Sequence, residues 1–288
     1  MRILIVGGSG FLGRELARQC SVAGHEVAAT YLTRSGETAG VEWVPLDVRR
    51  REDVEVLIGA FRPDVVINAA YRQADWTTTA IGAANVALGV SRVGGRLVHV
   101  SSDAIFSGAA IRYDETCLPD PVSPYGAAKA AAETAVSAIV PAAVIARTSL
   151  IIGDGDSPHE VLVHALAAGR SSGVLFTDDV RCPVHVADLA AALLELAASE
   201  YRGVRHVAGA DAVSRYELGL LIARRDGLDA DQLPSGRRAD TRLPGPLDVR
   251  LDCAMTQRRL RTTLRGARQF LGGGQFPGDG LPLTDGQW

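Results

Sequence analysis

Arg2-Ile3-Leu4-Ile5-Val6-Gly7-Gly8-Ser9-Gly10-Phe11-Leu12-Gly13 decides the fold of this chain. Residues 2–6 form a short apolar run without alternation, as expected of a parallel strand buried on both faces. Gly7, Gly10 and Gly13 follow at three-residue spacing, and 11–23 reads as a helix stopped by Gly24. Glycines so placed permit a tight turn, let backbone approach a diphosphate, and allow helix and strand to pack closely. The N-terminus of the helix then faces the anion. A glycine string that opens a strand–helix unit this early in the chain predicts a dinucleotide-binding fold.

The pattern continues outward from that turn. Strands are predicted over 26–32, 41–46, 64–68, 96–101 and 142–148, and helices over 51–61, 77–93 and 124–139. Such alternation implies an α/β, Rossmann-type, doubly wound parallel sheet with helices on both faces. Ligands of such sheets lie beyond the carboxyl ends of the strands. After 150 the pattern loosens, with helices expected over 159–168, 186–198, 214–225 and 264–271, a strand over 204–208, and loop over 226–246. The chain therefore divides into a cofactor-binding part at 1–150, a mainly substrate-binding α/β part at 151–271 with segments returning to the first, and a Gly/Pro-rich tail at 272–288.

The bulk numbers restrict the function. Of 288 residues, 47% are hydrophobic and 22% charged, ordinary for a globular protein. A net charge of −3 gives no reason to expect nucleic acid or an anionic membrane as partner. No apolar run approaches a membrane span, and the opening apolar run is too short for a signal-peptide core. Cys20, Cys117, Cys182 and Cys253 are far apart, with no paired metal spacing, and read as reduced thiols of a cytoplasmic protein.

One residue type stands out. Lys and Arg together number 30, yet Lys129 is the only lysine, four residues after Tyr125 in Ser123-Pro124-Tyr125-Gly126-Ala127-Ala128-Lys129. A lysine kept among so many arginines points to a task a planar guanidinium cannot perform. On a helix the two side chains share a face. An adjacent ammonium favours the ionised phenol, which suits Tyr125 to proton transfer. Glu133 continues that face, and an ion pair with Lys129 is its default reading.

The end of the second strand selects the cofactor. It reads Thr30-Tyr31-Leu32-Thr33-Arg34, with no acid to bind a ribose 2′-hydroxyl. Arg34 fits a 2′-phosphate, favouring NADP(H) with NAD(H) possible; a solvated loop position is the other reading of Arg34.

These motifs, with Asp64-Val65-Val66-Ile67-Asn68-Ala69-Ala70, Ser101-Ser102-Asp103, Arg147-Thr148-Ser149 and the segment Arg181-Cys182-Pro183-Val184-His185, occur in the order of the extended short-chain dehydrogenase/reductases. The chain resembles their dTDP-4-dehydrorhamnose reductase branch over about residues 1–270. The resemblance implies a catalytic set of Ser102, Tyr125 and Lys129. It also implies a cofactor-binding set of Gly7, Ser9, Gly10, Phe11, Leu12, Gly13, Thr30, Arg34, Asp47, Val48, Ala69, Ala70, Tyr71 and Asn85, joined by Tyr125 and Lys129. The substrate set is Asp103, Ala104, Leu150, Arg181 and His185, and no metal is expected.

Two positions depart from the branch: Ala104 and Leu150 stand where the rhamnose-forming enzymes carry Tyr and Trp. Related dehydratases place a Glu at position 104, so dehydration is disfavoured and the substrate is left open. His99, inside a buried strand, reads as a satisfied core histidine. His185 reads first as a structural or packing residue and second as a ligand for a phosphate or sugar, and Arg181 is a candidate for a nucleotide diphosphate. The implied activity is reduction of a keto group on a nucleotide-linked sugar or related small metabolite. An NAD-dependent epimerase and a non-catalytic regulatory subunit are the alternatives, and a homodimer is possible.

Overall fold

The computed structural model describes residues 1–242 and 244–272. Seven of its strands form one parallel sheet: β1 (Arg2–Val6), β2 (Glu26–Tyr31), β3 (Val41–Pro45), β4 (Val65–Asn68), β5 (Arg96–Ser102), β6 (Val144–Thr148) and β7 (Gly203–His206). Their order is β7-β6-β5-β4-β1-β2-β3. The chain thus starts in the middle, fills one side, then crosses to the other, and the crossing point lies between β1 and β4. Ile3, Leu4, Ile5 and Val6 are wholly buried, which explains why β1 shows no polar alternation.

Each face of the sheet carries helices. On one, α1 (Phe11–Val22) and a helix of the second half (Val186–Ala197) bury Leu12, Leu16, Ala17, Leu189 and Leu193 against alternate sheet residues. On the other, α2 (Arg51–Phe61), α3 (Gly82–Val93) and α4 (Pro124–Ile139) bury Ile58, Val86, Val90, Ala132 and Val136. A third core around Ile152, Val163, Leu218 and Ile222 belongs to the second half alone. That half is not a separate block in sequence: β7 pairs with β6, and Val186–Ala197 packs on the sheet.

Several local expectations are refined. Residues 77–93 do not form one regular helix; the first turn, Thr77–Ile81, is π-helical before α3 begins. The stretch 226–246, expected as loop, contains 3-10 turns at Ala230–Gln232 and Arg238–Asp240. It also contains a two-residue strand, Ser235–Gly236, paired with Leu175–Phe176. The last helix is shorter than expected, Ala267–Leu271, because Asp211 accepts the Ala267 and Arg268 amides and fixes its start there. The Gly/Pro-rich tail lies outside the described residues apart from Gly272.

The placement of α4 matters most for function. Ser123 caps it by accepting the Gly126 amide at 3.1 Å, and Pro124 occupies the first turn, where a missing N–H costs nothing. At Gly126 the helix touches the Ala104 carbonyl so closely that a Cβ would overlap the oxygen. Gly126→Ala therefore forces α4 away from the end of β5. Urea denaturation should show a loss of about 1–3 kcal/mol for this variant, as overpacking gives in a rigid contact.

Candidate active site

The glycine turn lies beyond the carboxyl end of β1. Gly7 has φ +84°, and a Cβ there would sit 2.8 Å from Ala70 Cα, so no side chain fits between β1 and the end of β4. Thr30, 2% exposed, braces the turn from β2: its hydroxyl accepts the Gly7 amide at 3.0 Å and its carbonyl the Ser9 amide at 3.2 Å. Gly13 packs on the Gly7 carbonyl. Gly10 is exposed, and α1 starts after it with no side-chain cap and no acidic residue in its first turn. Its leading N–H groups are the donors that an anion requires. Phe11 abuts Gly153, and the Leu12 side chain is part of the core.

Beyond β3, Asp47 holds Arg49 through both carboxylate oxygens, and this contact pulls the Asp47 carboxyl below its usual range. Val48 is buried, and Asn85 donates to its carbonyl at 2.9 Å. The Asn85 amide is thus committed to this loop. Arg34 is exposed past the end of β2, with no partner among the described residues.

Ser102, Tyr125 and Lys129 come together where β5 ends against the first turns of α4. Ser102 closes β5, and its hydroxyl faces the Tyr125 phenol closely enough to oppose the rise in that phenol's pKa. The ring of Tyr71, just past Ala69 and Ala70, is 5.8 Å from that of Tyr125. Lys129 is 3% exposed and donates to the Val100 carbonyl at 2.8 Å.

The electrostatics correct one expectation. Burial pushes the Tyr125 phenol above its ordinary range, the neighbouring Tyr71 phenol adds to the rise through like charge, and the Ser102 hydroxyl opposes it. The phenol's pKa is thus raised, against the lowering expected from the neighbouring lysine, because desolvation is the largest contribution. Burial also brings the Lys129 ammonium down to about 8.

Glu133, the expected partner of Lys129, is taken elsewhere. Its carboxylate meets Arg147 at 2.9 Å and accepts the Ser101 hydroxyl at 2.5 Å, with both ends of the ion pair buried. Arg147 interrupts an apolar strand, Val-Ile-Ala-Arg-Thr, and a charge inside a buried strand demands a partner; that was the available signal.

Among the residues considered for substrate, Asp103 is buried and accepts the Ser149 hydroxyl at 2.6 Å and, more weakly, the Ser102 hydroxyl at 3.3 Å. Burial raises its pKa and Arg181 opposes the rise. Arg181 does not present a free guanidinium to a diphosphate. It is 5% exposed, donates to the Val180, Leu247 and Pro246 carbonyls, and meets Asp179 at 3.0 Å. Two more arginines, Arg215 and Arg238, converge on Asp179 at 3.6 and 3.1 Å, a cluster that sequence reading missed because its members are scattered.

His185 serves locally: it caps the helix Val186–Ala197 by accepting the Ala187 amide, and its other nitrogen is 3.3 Å from Asp154. His99 is wholly buried and pushed well below its usual pKa. One ring nitrogen contacts Asn68 while Nε2 has no partner, so it is not the fully satisfied core residue expected. Ala104 lies in a 3-10 turn against α4, and Leu150 packs beside the third core. The four cysteines are free thiols. Among the described residues no helix is long and apolar enough to cross a membrane, and no cluster suits a metal.

A parallel sheet in this order, a glycine turn beyond its first strand and a Ser–Tyr–Lys cluster at the same edge define an NAD(P)-dependent oxidoreductase of Rossmann type. Residues 1–272 match the family described as the RmlD substrate binding domain, and the chain belongs to that family. It is 32% identical over 287 residues to the dTDP-4-dehydrorhamnose reductase of Mycolicibacterium smegmatis, covering 94% of this chain and 84% of that protein. The structure of a hypothetical dTDP-4-dehydrorhamnose reductase from Sulfolobus tokodaii superposes with a TM-score of 0.79 at 30% identity, covering 92% of this chain and 97% of that one. The Bacillus anthracis dTDP-4-dehydrorhamnose reductase in complex with NADP has the same fold, with a TM-score of 0.79 at 23% identity over 94% of this chain and 97% of that one.

The buried ion pair gives a direct test. Arg147→Met leaves the Glu133 carboxylate without its counter-charge, and a stability loss of about 3–5 kcal/mol is expected by chemical denaturation.

Proposed function

We propose that this protein is an NADP(H)-dependent reductase of a keto group on a nucleotide-linked deoxysugar. The single observation that carries the reading is the meeting of Ser102, Tyr125 and Lys129 at the sheet edge that also bears the glycine turn. Support for the cofactor comes from the exposed Gly10 and the uncapped start of α1. These suit a diphosphate, which would lie along Gly7 to Gly13. Ala69, Ala70 and Tyr71 border the same path, and Asp47 and Val48 lie toward the adenine end. Arg34 is free to meet a 2′-phosphate, which favours NADP(H) over NAD(H).

When bound, the nicotinamide supplies the hydride. Everything else falls to the chain. Ser102 donates to the substrate oxygen, where negative charge grows as the carbon is reduced. Tyr125 gives its proton to that oxygen. Burial keeps the Tyr125 phenol protonated, the form a proton donor requires. The Lys129 ammonium holds the ribose and stabilises the phenolate left after proton transfer. Ala104 and Leu150 stand where the rhamnose-forming enzymes carry bulkier aromatics, so the sugar accepted differs in shape from 4-dehydrorhamnose.

The test is to mix the protein with NADPH and a panel of 4-keto-6-deoxy sugar nucleotides and follow loss of reduced-cofactor absorbance. Turnover is expected, with Tyr125→Phe lowering it by about 10²–10⁴-fold. Wild-type turnover in that variant would overturn the mechanism. Copurifying NAD with no net consumption would point instead to an epimerase, and a stoichiometric enzyme partner with no turnover on any ketone to a regulatory subunit. Arg34→Ala should raise the KM for NADPH about tenfold and leave that for NADH unchanged, because only the former carries the phosphate. In the wild type, kcat/KM should fall as pH rises through about 8, where the Lys129 ammonium is lost.

A further inference from the structure

Lys129 is buried, yet among the described residues no carboxylate lies within ion-pair reach of it. Glu133, one turn along α4, is spent on Arg147 and Ser101. A buried ammonium without a carboxylate needs other stabilisation. Two groups face it closely. The Val100 carbonyl accepts one N–H at 2.8 Å. The Tyr71 ring lies with its centroid 5.3 Å from Nζ, inside the range of a cation–π contact. The other titratable or charged groups around the lysine are Tyr125 and Glu133 on α4, His99 on β5 and Arg147 on β6; the Glu133 charge supports the ammonium from beyond ion-pair reach, against the larger effect of burial. His99 is neutral, and Arg147 is neutralised by Glu133.

Tyr71 is also fixed in place. Ala70, its neighbour, touches the glycine turn and donates to Asn68 Oδ1 at 3.2 Å. On the other side, the buried Thr79 accepts the Arg72 amide at 3.1 Å and donates to the Arg72 carbonyl at 2.8 Å. The π-helical turn Thr77–Ile81 supplies that threonine. The loop carrying Tyr71 is thus pinned at both ends while the Tyr71 side chain stays accessible, at 53% exposed.

We propose that Tyr71 is a positioning residue whose aromatic face takes the place of the missing carboxylate, keeping the Lys129 ammonium charged and beside Tyr125. The inference rests on the reading of Lys129 as part of the reductase site. It assigns the work to the ring and none to the Tyr71 hydroxyl, and the low ordinary charge-holding capacity of a buried lysine explains why a ring is needed.

The single lysine makes the test direct. Protein grown on [13Cε]lysine gives one lysine resonance, and its pH titration reads the Lys129 ammonium whether or not any keto sugar is reduced. Tyr71→Phe keeps the ring and should titrate within about 0.2 unit of wild type. Tyr71→Leu keeps an apolar side chain at that place but removes the π face, and its midpoint should fall by about 0.5–1.5 units. With NADPH and an accepted substrate, the alkaline limb of kcat/KM should move down with it in the Leu variant alone. An unchanged midpoint in Tyr71→Leu overturns the proposal, as does a Phe variant that shifts as far as Leu. Absence of turnover in the wild type would remove the reductase reading and leave the titration result standing.

Discussion

The contact between Arg147 and Glu133 is the constraint on which the active edge depends. It joins the end of β6 to the middle of α4, and through the Ser101 hydroxyl it reaches β5 as well. Three elements that come from distant parts of the chain are thereby tied within one hydrogen-bonding group. Taking both charges out of water is costly, and an apolar pair of equal volume would be at least as stable. What the ion pair provides is position. α4 can slide or rotate against a purely apolar layer of alanines, and it cannot do so with a carboxylate fixed at 133. Tyr125 and Lys129, two turns and one turn earlier, inherit that register.

The second half of the protein is organised by a different economy. Asp179 gathers Arg181, Arg215 and Arg238, and Arg181 reaches toward Asp103 at 3.7 Å. Asp103 follows Ser102 directly. The cluster therefore joins the packing of the substrate side to the residue that ends β5. The Asp179 site carries more positive than negative charge, in keeping with a protein whose proposed substrate is an anion.

The sheet was legible because burial on both faces leaves an unmistakable trace. Residues 2–6 and 65–68 have no polar face to alternate with, and the glycine spacing after β1 has no common alternative use. Lys129 was legible through composition, an accident of a chain that otherwise uses arginine. What the sequence concealed were pairings. Glu133 lies four residues from Lys129 and looks like its partner, but its carboxylate meets Arg147, and nothing in local spacing distinguishes the two choices. Arg181 looked available because it sits in a recognisable segment; its donors turn out to be consumed by carbonyls 65 and 66 residues away. The sign of the Tyr125 shift was hidden for the same reason. A neighbouring charge can be read from spacing, whereas the amount of water a fold removes cannot.

The late return of β7 has a consequence for how the chain is made. Strand β6 is finished at Thr148, but its outer neighbour comes only at Gly203–His206. At about 5–20 residues per second, a ribosome leaves the β6 edge bare for several seconds, its N–H and C=O groups open to any other strand. The sheet on that side is therefore completed only after the segment 149–202 has been made.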